Sequence, residues 1–251
     1  MPPEVRLIGL TGLPEVKPGD NLAACIAEAA ARQGLALQDG DVLVVTQKVV
    51  SKAEGRLVDL RTVEPSDLAR RIAAETGKDP RQVEVVLRES RRIVRMDRGV
   101  IITETKHGFV CANAGVDFSN VPGQETVALL PEDPDASASR LREGVRTHAD
   151  AEVAVIISDT FGRPWRLGLT DVAVGVAGLR PIRDYTGTAD SEGRELRVTA
   201  VAVADELAAA AELVMGKVDR VPVAVIRGYP FERGEGTARE LIRPAELDLF
   251  R

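Results

Sequence analysis

Asp159 and Thr160 stand side by side in Ser158-Asp159-Thr160-Phe161-Gly162-Arg163, directly behind the apolar run Val153–Ile157. An apolar strand that stops in a carboxylate and a hydroxyl delivers both to the edge of a sheet, where ligand crevices form. Such oxygen donors suit Mg²⁺ or Mn²⁺, which keep open positions for phosphate. An aspartate that caps a turn gives the same pattern. Asp117 and Asn120 lie in Ala114-Gly115-Val116-Asp117-Phe118-Ser119-Asn120-Val121, a small-residue loop behind a strand. A carboxylate and an amide at this spacing can hold a metal and donate to a nucleotide, whereas an Asx-turn accounts for the same residues without any function.

Lys48 and Lys52 are four residues apart, so a helix starting there sets both ammonium groups on one face. With Arg163 and Arg166 they place cations beside turns and strand ends, which fits an anionic ligand held partly by metal. Ordinary surface charge is the alternative for each. Trp165, the single tryptophan, lies between two arginines and reads either as a pocket wall or as a core anchor. Asp205 and Glu206 sit in an alanine-rich helix, solvated on one face or costly on the other unless paired. His107 beside Gly108 reads as a polar loop residue. Cys25 falls in an apolar helix and Cys111 in a strand, so both read as core residues.

The motifs that would name other chemistries are missing. The chain has no G-x-x-x-x-G-K-[ST] loop, no G-x-G-x-x-G and no G-x-S-x-G. Its two cysteines exclude a disulfide framework, and its two histidines exclude a histidine-rich metal centre.

The elements that must position these residues follow from periodicity and punctuation. Strands are expected at Val5–Leu10, Asp41–Val45, Arg92–Met96, Gly99–Thr105, Phe109–Ala112, Val153–Ile157 and Val221–Ile226. Helices are expected over Leu22–Gln33, capped by Asp20 or Asn21, and over Pro65–Thr76, Pro80–Ser90, Pro134–Arg146 and Val198–Met215. Val172, Val174 and Val176 alternate with small residues, which reads as a tightly packed strand. Strands and helices alternate irregularly, so the fold class is α+β with a mixed β-sheet and flanking helices. The 251 residues fit one domain spanning 1–251 or two interleaved subdomains. With 44 % hydrophobic and 29 % charged residues the chain is globular, and at a net charge of −6 with no basic tract it is a poor partner for nucleic acid. No apolar run reaches the ~20 residues that span a bilayer, and the N-terminus has no signal-peptide pattern, so no membrane partner and a cytoplasmic location are expected.

Several segments in order carry a resemblance to one family. They are Gly12-Leu13-Pro14-Glu15 with Pro18-Gly19-Asp20, Gln47 through Arg56, Ala114 through Asp117 with Ser119-Asn120-Val121, Leu130-Pro131 with Asp133 through Ala138, Ser158 through Arg166 continued by Thr170 through Gly175, Val203 through Ala208, and Arg233 through Pro244. The sequence resembles the coenzyme F420-0:L-glutamate ligase family, GTP-dependent enzymes that add glutamate to a deazaflavin coenzyme. The resemblance implies a ligase-type α+β fold in its single-domain form and an intertwined homodimer. Its implied substrates are F420-0, L-glutamate and GTP. It implies nucleotide contacts at Leu13, Pro14, Glu15, Val16, Gln47, Lys52, Asn120, Met215, Gly216 and Lys217. It also implies two Mg²⁺ or Mn²⁺ ions, the first on Asp117 and Asp159 and the second on Thr160, and catalytic parts for Asp159, Thr160 and Lys52. The implied reaction phosphorylates a carboxylate and lets the glutamate amine displace phosphate.

One position departs. Lys217 stands where some relatives place an amide able to ligate the second ion, and a charged ammonium cannot ligate. Either the second ion binds weakly here, or Lys217 supplies part of its charge. An amide ligase acting on another carboxylate, and a non-catalytic nucleotide or deazaflavin carrier, are the competing readings.

Overall fold

The computed structural model describes residues 3–118 and 125–248. β1 (Arg6–Leu10) leads to α1 (Leu22–Arg32), where the Asn21 side chain accepts from the Ala24 N–H and caps the first turn. β2 (Val42–Thr46) runs without a break into α2 (Gln47–Ala53). β3 (Leu57–Asp59), α3 (Asp67–Thr76), α4 (Pro80–Arg88), β4 (Ser90–Asp97), β5 (Val100–Thr105), β6 (Val110–Ala112) and β7 (Thr126–Ala128) follow. Then come α5 (Pro134–Ala149), β8 (Ala154–Arg163), β9 (Arg166–Ala177), β10 (Arg183–Asp184), β11 (Ala200–Val201), α6 (Val203–Met215) and β12 (Val223–Arg227).

Five strands form the main sheet in the order β1-β12-β2-β8-β9. β2 and β8 are parallel and the other pairings antiparallel, so the sheet is mixed and the fold is α+β as expected. Val42–Val45, Ala154–Ile157 and Val223–Ile226 are buried at every position. Unbroken apolar runs of this kind mark strands covered on both faces. α5, with α1 against it, and α6 provide the cover. A second apolar cluster, with Leu60, Ile72, Val83, Ile101 and Val127 among its members, belongs to the segment between α2 and α5. Buried Asp41 accepts from Arg227 Nε at 2.8 Å and from Nη2 at 2.6 Å, a two-pronged bond that joins the start of β2 to the end of β12. No helix among the described residues is long and apolar enough to cross a membrane.

Three expectations change. The apolar strand does not end at Ile157. β8 loses β2 as a neighbour after Thr46–Ser158 but keeps β9 as far as Arg163–Arg166. Backbone pairing therefore carries the polar stretch whose side chains read as loop. The long helix begins at Val203 rather than Val198, because Ala200 and Val201 pair with β10. Cys111 is buried as expected, whereas Cys25 is only half-buried.

β9 is an edge strand, and unpaired edge N–H groups are a liability. Between Ile157 and Ser158 the register slips by one extra residue on β9, Val174. Two helix carboxylates take the N–H groups on this edge: Asp205 of α6 accepts from Ala173 at 2.9 Å, and Asp135 of α5 from Val176 at 2.8 Å. Asp205 thus has its partner. The small residues between the valines have a steric reason, since a Cβ at Gly175 would collide with the backbone oxygen of Pro134 at the start of α5. Gly175→Ala should lower unfolding stability in urea by about 1–3 kcal/mol, the usual cost of overpacking. Gly162→Ala, where nothing lies within 4 Å of the added carbon, should leave it unchanged.

Candidate functional site

The last parallel rung, Thr46 opposite Ser158, is where the sheet's centre ends and its chemistry begins. Parallel strands present their C-terminal ends on one side, so the residues that follow emerge together. On β2 these are Gln47 and Lys48, the first residues of α2, and on β8 they are Asp159 and Thr160.

Asp117 reaches the same place from the other apolar cluster. The chain leaves β6 through three consecutive left-handed residues, Asn113 (φ 52°), Ala114 (φ 56°) and Gly115 (φ 68°). Non-glycine residues in that region are strained and persist only where surroundings hold them. Here Gly115 packs so closely that a Cβ would lie 2.8 Å from Leu130 Cδ1. Asp117 then exchanges both backbone bonds with Ala128, at 2.8 and 2.9 Å. With its backbone fixed, the Asp117 carboxylate lies 2.8 Å from Lys48 Nζ.

Successive residues of a strand face opposite sides, and this divides the site. Asp159 feels the charges of Asp117, Asp171 and Lys48. Burial, with the repulsion of Asp117 and Asp171, pushes its carboxyl up to about 7, against the opposing pull of the Thr160 N–H and Lys48. Thr160 faces Asp171, its cross-strand neighbour on β9. The Thr160 hydroxyl donates to Asp171 Oδ1 at 2.7 Å and the Ser158 hydroxyl to Oδ2 at 3.0 Å. Lys217, just past α6, sets its ammonium 2.6 Å from Thr160 Oγ1, 3.3 Å from Asp171 Oδ1 and 2.7 Å from Glu212 Oε1. Burial works against the lysine's charge, but bonds to Glu212 and Asp171 outweigh it and raise its pKa.

The other expected residues fall around this centre. Lys52, one turn beyond Lys48 on α2, is buried and donates to Glu15 Oε1 at 2.6 Å. That bond ties α2 to the Leu13–Val16 loop, in which Leu13 is half-buried, Pro14 and Glu15 are exposed and Val16 is buried. Gln47 is buried and accepts from the Ser51 hydroxyl at 2.9 Å. Met215 is buried, while Gly216 and Lys217 are exposed. Asn120 lies outside the described residues. Arg163, Trp165 and Arg166 sit at the tip of the β8-β9 hairpin, where Trp165 is 79 % exposed and is therefore no core anchor. Cys111 is pushed up to about 12 by burial and by the Asp159 charge, so it stays a thiol.

Asp171 and Glu212 were given no part in the sequence reading. Asp171 carried a signal, a carboxylate beginning an otherwise apolar alternation. Glu212 carried none, since only the turn after α6 brings it to Lys217. The Asp117 and Asp159 carboxylates fit a hard divalent ion: they are oxygen donors whose mutual repulsion a cation would relieve. Among the described residues no group of three or more His, Cys, Asp or Glu is placed to share a metal. On the Thr160 side the residues do not fit a second ion: the donor is a neutral hydroxyl that gives its proton to Asp171 and already carries the Lys217 ammonium, whereas Asp117, though it touches Lys48, is a charged carboxylate with two oxygens.

A sequence profile of the F420-0:Gamma-glutamyl ligase family matches residues 11–228. The coenzyme F420:L-glutamate ligase of Methanothermobacter thermautotrophicus is 51 % identical over 98 % of this chain and 99 % of its own length. The ligase of that name from Methanopyrus kandleri is 50 % identical over 94 % of each chain, and that from Methanocaldococcus jannaschii 45 % over 99 % and 97 %.

Because the Asp159 carboxyl titrates higher folded than unfolded, its contribution to metal-free stability is full below the ordinary carboxylate range and is lost as pH rises through about 7. Thermal unfolding in chelator from pH 5 to 8 should show this loss in the wild type and a flatter profile in Asp159→Asn. Superimposable profiles would refute it.

Proposed function

This chain belongs to the F420-0:gamma-glutamyl ligase family, and from that premise we propose that it joins L-glutamate to coenzyme F420-0 through an amide bond, consuming GTP. What carries the reading is that Asp117, Asp159, Thr160 and Lys48 meet at one sheet end in a chain 51 % identical to such a ligase over nearly its whole length.

A carboxylate is a poor acyl donor. An oxygen of the acceptor carboxylate attacks the γ-phosphorus of GTP, the new O–P bond forms, and the bond to GDP breaks. The glutamate nitrogen then attacks the acyl carbon, phosphate leaves with the bonding pair, and the amine loses a proton. The first acceptor is the phospholactyl carboxylate, and later rounds extend through the γ-carboxylate of the added glutamate. A bound Mg²⁺ or Mn²⁺ ion neutralises charge on the transferring phosphoryl group.

Asp117 and Asp159 would hold that ion, with Lys48 keeping the Asp117 carboxylate in place. Lys52, clamped by Glu15, holds its charge on the same face of α2, toward the nucleotide phosphates. The Leu13–Val16 loop, Gln47, Asn120 and the Met215–Lys217 turn complete the nucleotide's surroundings. No protein nucleophile is required, in keeping with the protonated Cys111. The working unit is a homodimer, a reading supported by the exposed apolar side chains of Trp165, Leu167 and Leu169 on the projecting hairpin.

Incubation with F420-0, GTP, L-glutamate and Mn²⁺ should yield glutamyl adducts by mass spectrometry, abolished by EDTA and by Asp159→Ala with the fold retained. GDP release without adducts would point to another carboxylate acceptor. Neither signal from folded protein would leave a carrier. Light scattering should return a dimer, and a monomer at working concentration would refute that part.

A further inference from the structure

Thr160, Asp171, Glu212 and Lys217 form a set of polar contacts on the side of β8 away from Asp159. The Lys217 ammonium has three protons, and three oxygens surround it: Thr160 Oγ1 at 2.6 Å, Glu212 Oε1 at 2.7 Å and Asp171 Oδ1 at 3.3 Å. Asp171 is buried, with its side chain 2 % exposed, and a buried carboxylate is costly unless paired. It is paired on both oxygens, by the Ser158 and Thr160 hydroxyls and by the ammonium. The Thr160 proton therefore points to Asp171, and the oxygen's remaining lone pairs face outward, one of them toward Lys217. A divalent ion on that oxygen would stand against a fixed positive charge, and its natural counter-charge, Asp171, is already engaged. The arrangement also spans the site's elements, since Thr160 belongs to β8, Asp171 to β9 and Glu212 to α6.

We propose that the Lys217 ammonium is the second cation of this site, monovalent and carried by the chain, standing where a second divalent ion would rest on Thr160, with Asp171 as the residue that positions both. The proposal rests on the ligase reading for its chemistry: Lys217 offers its charge to the phosphoryl group from the side opposite the Asp117–Asp159 pair. A tethered ammonium needs no recruitment from solution, and it makes the enzyme's demand for free metal first order.

The test counts bound Mn²⁺ per chain by equilibrium dialysis, with GDP at the same saturating concentration in both chambers. The wild type should bind one ion, Lys217→Gln two, and Lys217→Arg, which keeps the charge, one. Electron paramagnetic resonance should show an isolated Mn²⁺ in the wild type and a spin-coupled pair in Lys217→Gln. Circular dichroism checks that each variant is folded, which the 55 % exposure of the Lys217 side chain favours. Equal non-zero counts in wild type and Lys217→Gln, or two ions in Lys217→Arg, would overturn the assignment of Lys217 while leaving Asp117 and Asp159 as ligands. No bound ion in either protein would overturn both. The count needs no acceptor and no turnover, so it stands or falls apart from the identity of the substrate.

Discussion

The parallel pairing of β2 with β8 is the constraint on which the rest depends. Its register aligns Thr46 with Ser158, and the two strands stop being neighbours at that rung. Up to it every side chain of both strands is buried or nearly so, and apolar packing sets the geometry. Beyond it β2 becomes a helix and β8 continues as one half of a two-stranded ribbon. A slip of one residue would exchange Asp159 for Thr160 on each face and dissolve the charge pattern, because strand periodicity is two. Burial of the valines and isoleucines behind the rung is thus what holds Asp159 in front of it, while Asp117 is fixed from the other apolar cluster by its backbone exchange with Ala128.

The charges beyond the rung are arranged in opposition. Most of the acids around the site have a lysine partner: Lys48 for Asp117, Lys52 for Glu15, and Lys217 for Asp171 and Glu212. Asp159 is raised to about 7, first by burial and then by the charges of Asp117 and Asp171, which Lys48 only partly offsets. The two faces of β8 therefore differ: two acids share one lysine on the Asp159 side, while on the Thr160 side Lys217 contacts the hydroxyl and both acids. The same economy appears at the edge of the sheet, where Asp135 and Asp205 are spent on the N–H groups of β9 rather than on ligands.

Much of the fold was legible because its signals are local. The Pro80 start of α4, the Asn21 cap of α1 and the apolar runs of β2, β8 and β12 each declare an element within a few residues. The polar half of β8 was not legible, since its strand state comes from pairing with β9 and not from side-chain pattern. Lys48 and Lys52 were correctly placed on one helix, but their partners were not, as Asp117 and Glu15 arrive from distant segments. Trp165 could be read two ways because exposure at a hairpin tip leaves no trace in sequence.

The sequence by itself determined which chemistry is available: oxygen donors and lysines, no reactive thiol, no phosphate loop of the common kinds, and an ordered set of motifs shared with one ligase family. It also determined the α+β class, since alternation of apolar period is a property of neighbours along the chain. Only the tertiary structure decided how the donors are divided. Whether Asp159 and Thr160 serve one centre or two depends on strand alternation together with what stands opposite each face. Asp171 enters through a cross-strand bond, and Lys217 through the turn that ends α6. Those contacts join residues far apart in the chain through buried backbone geometry, and no spacing in one dimension encodes them.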